Sequence, residues 1–462
     1  MRLSDLFRRE PQWSTTERLR AAVAPHASRS ACADFLDSFQ AEAYERLVAR
    51  YDDPTVAKLL ALKLANLAAS RYHHEGRLSA LFSHPVLLMV DPANACQLAC
   101  PGCLHSDNPS YAALFDWPRK TLPLDTYAAF LDRFGPFAFS AALYNYGEPL
   151  LNKRFAEIVR KSREYLLHTF TSTNLSMPLD NAEAIVESGL DYMILSIDGA
   201  TQPVYERYRR GGNLGLVLEN VRKLAAAKKA LGSSTPWLEW QFLTFEHNHH
   251  ELADARRLAA EIGVNQFRVA TPFGVELDDP SIRPLRSPEE GACVVNPEKR
   301  RTTRDPRRID ECADAIEEAF RKTWHMRAEE TASDFAAPDA HTCTWLYFNM
   351  TMDGAGRIMP CCMAPDKNDK KLVFANFEPR ESPSALDIVN SPMAQLARRA
   401  FADRASYEKQ VALQSSSTPF CARCEEKPSP PYGMNNVRLD IRKLDPNRVV
   451  SDELVGMLTD WK

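Results

Sequence analysis

An α/β fold built on a parallel sheet is predicted by two features of this chain. Short β-forming apolar runs alternate with amphipathic helical stretches, and polar motifs fall just after those runs. The strand candidates are residues 86–90, 137–144, 168–172, 192–197, 237–244 and 266–270. Between them, apolar positions recur at helical spacing in 124–133, 155–165, 182–188, 215–231 and 251–262. Six β/α units in residues 86–272 argue for parallel strands joined by crossover helices. The result is either an open or partial barrel or a doubly wound sheet. In such sheets ligands bind at the carboxyl ends of the strands.

The flanking segments read differently. Residues 1–85 are helical, with amphipathic stretches at 15–23, 31–51 and 55–72, and Asp53-Pro54 supplies a helix start. They form a helical extension without the β-rich pattern of a leader-peptide module. Residues 273–340 are Pro-rich and charged until a helical stretch near 309–326, and read as an insertion or linker placed to cover the site. Residues 341–430 hold a hairpin signal: strands at 347–352 and 357–360 around Asp353-Gly354-Ala355-Gly356. Residues 431–462 are a polar tail.

The 462 residues are 45% apolar and 26% charged, ordinary for a globular chain. A net charge of −4 gives no global field for nucleic acid or an anionic membrane. The run Arg300, Arg301, Arg304, Arg307 and Arg308 reads as a solvated surface segment. The first residues lack an apolar signal core, and no stretch approaches the roughly 18 apolar residues of a membrane span. A cytoplasmic location follows as the expectation, with thiols kept reduced. Eight of eleven cysteines fall into spaced groups, which favours metal over disulfides.

The first group is Cys96-x3-Cys100-x2-Cys103, in the loop after the first strand. Thiolates are standard ligands of iron–sulfur clusters. His105 offers a fourth ligand for zinc, but zinc knuckles favour two-residue gaps. Three thiolates leave one iron of a cubane open, as a substrate-activating cluster requires. Chance gives this spacing on the order of 1% of the time in such a chain.

At these residues the sequence resembles the radical S-adenosylmethionine (radical SAM) superfamily, over roughly residues 86–430. The resemblance implies a partial (β/α)6 barrel. It also implies a [4Fe–4S] cluster on Cys96, Cys100 and Cys103 whose open iron chelates the methionyl amino and carboxylate groups of S-adenosylmethionine. An electron then cleaves the cofactor to methionine and a 5′-deoxyadenosyl radical, which takes hydrogen from the substrate. Tyr146-Gly147-Glu148-Pro149, after the second strand, resembles the family's Gly-Glu-Pro motif, where the carboxylate accepts from the cofactor's ammonium. Asn174 after the third strand, and Ser196 and Asp198 after the fourth, resemble segments that bind its ribose and carboxylate. Residues 205–212 resemble the family's Arg-Gly segment. Either Arg209 or Arg210 can pair with the methionyl carboxylate, and Arg210 is carried forward as the candidate. By contrast, His247, His249 and His250 do not form a zinc-protease pattern and read as a loop and helix cap.

The second group is Cys343, Cys361 and Cys362, then Cys421-x2-Cys424. It resembles the opening of the auxiliary-cluster domain called SPASM, or its shorter form, twitch. The fuller version has three more cysteines after the Cys-x2-Cys, absent here. Cys343, Cys361, Cys421 and Cys424 thus suffice for one auxiliary [4Fe–4S] cluster, with Cys362 a competitor for the place of Cys361. A structural zinc on the same thiolates is the alternative. Cys32, Cys293 and Cys312 read as ordinary thiols.

The expected activity is hydrogen abstraction from a small-molecule or peptide substrate, giving net oxidation or crosslinking. A flavodoxin or ferredoxin serves as reductant, and no cobalamin-binding segment is visible. The competing class is a zinc-binding α/β protein with a C-terminal zinc ribbon, acting as a binding module. No residue stands out as the catalytic acid or base.

Overall fold

The computed structural model describes residues 63, 66, 70, 73–74, 77–81, 83–106, 120–272, 279–297, 343, 345–362, 373–380 and 383–402. Most of the N-terminal helical stretches, the helix expected near 309–326, Cys32, Cys312, Cys421, Cys424 and the C-terminal tail lie outside the described residues.

Six strands run parallel in chain order: β1 (Leu87–Val90), β2 (Ser140–Ala142), β3 (His168–Thr173), β4 (Tyr192–Ser196), β5 (Trp237–Leu243) and β6 (Gln266–Ala270). The connections carry α1 (Leu124–Phe134), α2 (Phe155–Arg163), α3 (Ala182–Glu187), α4 (Gln202–Tyr208), α5 (Leu214–Leu231) and α6 (Leu252–Glu261). The longest, α5, starts where the Asn213 side chain accepts from Leu216 N at 3.1 Å. It ends at Gly232, whose φ of 62° closes the last turn in the left-handed region.

Alternation decides how the layers pack. Leu88 and Val90 of β1, Met193 and Leu195 of β4, and Leu238, Trp240 and Phe242 of β5 are fully buried, and they share one apolar core with Phe130, Ile158, Ile185 and Val221 of the helices. Of the alternate set, Phe170, Tyr192, Gln241 and Arg268 are only half-buried. The helices thus share one apolar core with the buried set of strand residues. Each fully buried large apolar side chain contributes roughly 1.5–3 kcal/mol.

The sheet extends beyond the six strands at both edges. On one side β7 (Gly291–Val294) pairs antiparallel with β6. On the other, β8 (Asn349–Met352) pairs parallel with β1, followed by antiparallel β9 (Arg357–Met359) and β10 (Ala375–Asn376). The expected hairpin around residues 353–356 is therefore present, but it continues the core sheet. Its first strand begins later than predicted, because Trp345–Phe348 form a short helix, α7. Two further helices, α8 (Ala385–Val389) and α9 (Pro392–Ala402), follow. Buried Arg398 of α9 binds the carbonyls of Leu346, Val389 and Ser79. Among the described residues, no helix is long and apolar enough to cross a membrane.

Candidate functional site

The chain leaves β1 through Asp91-Pro92-Ala93-Asn94-Ala95 and enters the first cysteine group. Asp91 is fully buried. Its carboxylate accepts the backbone N–H groups of Asn145 at 2.9 Å, Tyr146 at 3.1 Å and Gly147 at 3.3 Å. Glu148 N donates to Ala95 O at 2.7 Å. A Cβ at Gly147 would stand 1.6 Å from Ala93 O, so only glycine lets the two loops touch. Asn94 Oδ1 accepts Gly354 N at 2.5 Å, fastening the β8–β9 turn to the same loop. The cysteine loop, the Gly-Glu-Pro loop and the hairpin thus form one hydrogen-bonded unit.

Sequence reasoning missed Asp91. Burial, opposed by its three backbone donors, pushes the carboxyl up to about 7. The folded chain then holds the proton at pH values where the unfolded chain has released it. Stability therefore falls as pH rises from about 4 to about 7 and levels off above, by up to about 1.4 kcal/mol per unit. Urea unfolding of the apo-protein across that range checks this. The wild type is expected to lose stability relative to Asp91→Asn, whereas a pH-independent difference contradicts it.

Within the cysteine loop, Cys103 N donates to Cys100 O at 3.0 Å, and Ala99 N to Arg210 O at 3.1 Å. Cys96 Sγ faces two donors, Leu98 N and Asn174 Nδ2, each at 3.5 Å. Leu98, Cys100, Tyr208, Phe245 and Ile282 form an apolar wall against which Cys96 and Cys103 pack. Burial raises all three thiols: Cys96 to about 12, Cys100 to about 11, and Cys103 in the same direction. Thiolates in such a place need a compensating cation, as an iron–sulfur cluster provides, and the N–H groups aimed at Cys96 suit an anionic sulfur. Among the described residues, no three His, Cys, Asp or Glu side chains converge on a single-ion site.

Four other candidates line the ends of β2 to β4. Glu148 is buried, with Oε1 accepting from Thr173 Oγ1 at 2.7 Å and Leu150 N at 3.1 Å, and Oε2 from Asn174 N at 2.8 Å. A carboxylate offers about four acceptor positions, so one remains. Asn174 Oδ1 accepts Gln97 Nε2 at 2.7 Å, and the Ser196 and Ser172 hydroxyls lie 3.1 Å apart. Asp198 is fully buried: Oδ1 accepts Leu243 N at 2.7 Å, and Oδ2 accepts Arg209 Nε at 2.5 Å. Burial alone would lower the pKa of Arg209, but Asp198 and Cys100 hold it well above the ordinary value. Arg210 instead turns to Asp279 and keeps 49% of its side chain exposed. Of the two adjacent arginines, Arg209 is the one whose guanidinium stands at the cysteines.

The second cysteine group is described in part. Burial raises Tyr146 well above the ordinary tyrosine value, with lesser effects from Cys362, Cys361 and Cys103. That ring therefore lies within electrostatic reach of both cysteine groups. Cys343 O accepts Leu346 N at 3.2 Å at the start of α7.

The histidine segment has the loop-and-cap arrangement the sequence indicates. Glu251 caps the turn after β4 through Ala200 N at 2.6 Å and Thr201 Oγ1 at 2.6 Å, and His247 is buried against Phe245. Part of the expected covering segment is visible too. Glu246 N donates to Arg283 O and Leu285 N to Thr244 O, which brings Ile282 onto the cysteine wall.

Residues 90–235, which span β1 to the end of the turn before β5, match the model of the radical SAM superfamily. Residues 90–235 are similar to a radical SAM domain. The curated relatives it resembles include a GTP 3′,8-cyclase of Limosilactobacillus fermentum, 28% identical over 139 residues, 30% of this chain and 41% of that one. A probable GTP 3′,8-cyclase of Methanocaldococcus jannaschii is 24% identical over 177 residues, 38% of this chain and 55% of the relative. The chain thus spans about half or less of the length of these relatives. Among solved structures, Streptococcus suis SuiB bound to S-adenosylmethionine is similar over 83% of both chains, with 15% identity and a TM-score of 0.46.

Proposed function

We propose that this chain is a radical SAM enzyme that reductively cleaves S-adenosylmethionine and abstracts hydrogen from a small-molecule or peptide substrate. The observation that carries this reading is the bolted pair of loops: buried Cys100 with half-buried Cys96 and Cys103 on one, Gly147 and Glu148 on the other, joined by Asp91 and by the close approach at Ala93. Cys96, Cys100 and Cys103 would hold a cluster, which would supply the electron for cleaving a carbon–sulfur bond of S-adenosylmethionine.

The chain's own residues do the rest. Glu148 offers its remaining acceptor position to the cofactor's ammonium. Asn174 and Ser196 present polar groups beside Cys96 and at the end of β4. Arg209, held by Asp198, takes the cationic role for which Arg210 was the sequence candidate. Leu98, Tyr208, Phe245 and Ile282 keep water from the thiolates. The apolar core shared by helices and strands supports a partial (β/α)6 barrel for residues 86–272, flanked by the N-terminal extension 1–85 and the insertion 273–340. In residues 341–430, the placing of Cys361 and Cys362 within reach of Tyr146 supports one SPASM/twitch-type auxiliary [4Fe–4S] cluster on Cys343, Cys361, Cys421 and Cys424. These four residues would hold the cluster, which would supply an acceptor for the substrate electron and so favour net oxidation. Flavodoxin or ferredoxin is the reductant class.

The test is anaerobic reconstitution followed by dithionite and S-adenosylmethionine. Expected are brown protein with about four irons per cubane, so about eight for two clusters, and stoichiometric methionine and 5′-deoxyadenosine. Colourless protein holding zinc, with no 5′-deoxyadenosine, overturns the reading in favour of the zinc-binding module.

A further inference from the structure

The sheet face turned away from the shared apolar core carries a polar group that cofactor binding leaves unused. Glu239 of β5 has 1% of its side chain exposed. Its Oε2 accepts from Tyr192 OH at 2.5 Å and from Gln266 Nε2, and its Oε1 faces Arg268 Nε at 2.8 Å. Burial, and then the Glu239 charge, raise Tyr192 above the ordinary tyrosine value, so its hydroxyl stays a donor. The carboxylate thus joins three side chains, and one of its contacts is an ion pair with the Nε edge of Arg268. Yet Arg268 keeps 43% of its side chain exposed.

Register places this guanidinium relative to the cofactor residues. Ser196 pairs with Gln241, and Gln241 with Arg268. Arg268 thus stands in the row of Ser196, two strands away, or roughly 10 Å at about 4.8 Å per strand. Tyr144, which follows β2, feels the charges of Cys362, Glu239 and Arg268. The second cysteine group and the Arg268 pair thus both lie within electrostatic reach of one ring. A planar guanidinium held by Glu239 and Tyr192 on one side and 43% exposed matches the two oxygens of a carboxylate or phosphate.

We propose that Arg268, aimed by Glu239 and Tyr192, anchors an anionic group of the substrate on the open face of the sheet. This deepens the radical SAM reading and rests on it for the identity of the reacting partner. The ligand chemistry is a carboxylate or phosphate oxygen pair. Amino acids and peptides bring the first, and nucleotides and sugar phosphates the second.

The test uses the reconstituted full-length protein with S-adenosylmethionine present throughout. Arginines are modified with phenylglyoxal and mapped by mass spectrometry, with inorganic phosphate, succinate or chloride added at matched ionic strength. Arg268 modification is expected to slow on the order of fivefold with phosphate or succinate relative to chloride, as occupancy at a few times Kd gives. Arg154 and Arg257, with 53% and 65% of their side chains exposed on helix surfaces, serve as unprotected controls. Protection by phosphate alone assigns a phosphorylated substrate, protection by succinate alone a carboxylate, and protection by both the shared anion site. An Arg268 that reacts equally in all three salts, or does not react at all, overturns the proposal. Cleavage of S-adenosylmethionine is assayed on the same preparation. If cleavage occurs without protection, the anchor fails alone. If protection occurs without cleavage, the radical reading fails alone.

Discussion

Replacing Cys100 by Ala is expected to bring 5′-deoxyadenosine formation down to the dithionite background. The reason is geometric as well as chemical. Cys100 is the most enclosed of the three thiols, set between the apolar wall and Arg209. Removing it takes away one of the three proposed ligands and leaves the Arg209 charge facing Asp198 without the sulfur. Changes one layer outside a metal site typically cost 10–100-fold, and loss of a ligand exceeds that. Cys293→Ala is the control, because Cys293 is exposed on β7. Product analysis by chromatography, with iron content and circular dichroism on the same samples, reads the result. A Cys100→Ala protein that still makes 5′-deoxyadenosine at an appreciable fraction of the wild-type rate contradicts the ligand assignment.

Gly147→Ala is expected to have the second largest effect. The added methyl meets Ala93 O at 1.6 Å, Ala93 C at 2.7 Å and Ala95 N at 3.1 Å, all of them backbone. No side chain can swing aside, so one of the two loops must move. Overpacking of this kind costs about 1–3 kcal/mol. The larger consequence falls on activity, because both loops carry proposed cofactor contacts. A displacement near 1 Å can cost about 10²-fold, and a fall of that size in cofactor cleavage is expected. Gly215→Ala is the comparison, since its methyl meets only Asn213 Oδ1, at 3.3 Å. Cleavage rates, iron content and thermal midpoints distinguish a moved site from an unfolded one. A near-normal rate for Gly147→Ala means that the close approach has no functional role.

These two residues were readable from the sequence because their signals are local. Cys100 sits in a fixed spacing, and Gly147 sits in a short motif after a strand. The core strands were readable for a related reason: they bury alternate residues in the core shared with the helices. Thus β6 begins and ends at the predicted residues. The strand predicted at 137–144 shrank to Ser140–Ala142, because Phe137 N and Ala138 N close the end of α1 on Phe134 O.

Other features have no local signal. All four residues of β7 are exposed, so no apolar alternation marks it. The short helix α4 opens with Pro203 and reads as part of a loop. The partners of Asp91 are backbone N–H groups 54–56 residues away, which leave no trace in side-chain pattern. Arg209 and Arg210 are the same residue type side by side. Only the end of α4, where Arg209 leaves helical geometry, sends their side chains apart. Glu239 and Arg268 show as charges in apolar strands, but the shared face and the register that join them exist only in the assembled sheet.

The most direct test of the proposed chemistry is the electron paramagnetic resonance spectrum of the dithionite-reduced, reconstituted protein, recorded before and after adding S-adenosylmethionine. An open iron held by Cys96, Cys100 and Cys103 shifts the g-values of the reduced cubane when the cofactor binds, and that shift is the expected result. A cubane spectrum that S-adenosylmethionine leaves unchanged, or zinc in place of iron and no spectrum at all, contradicts the assignment of these three cysteines.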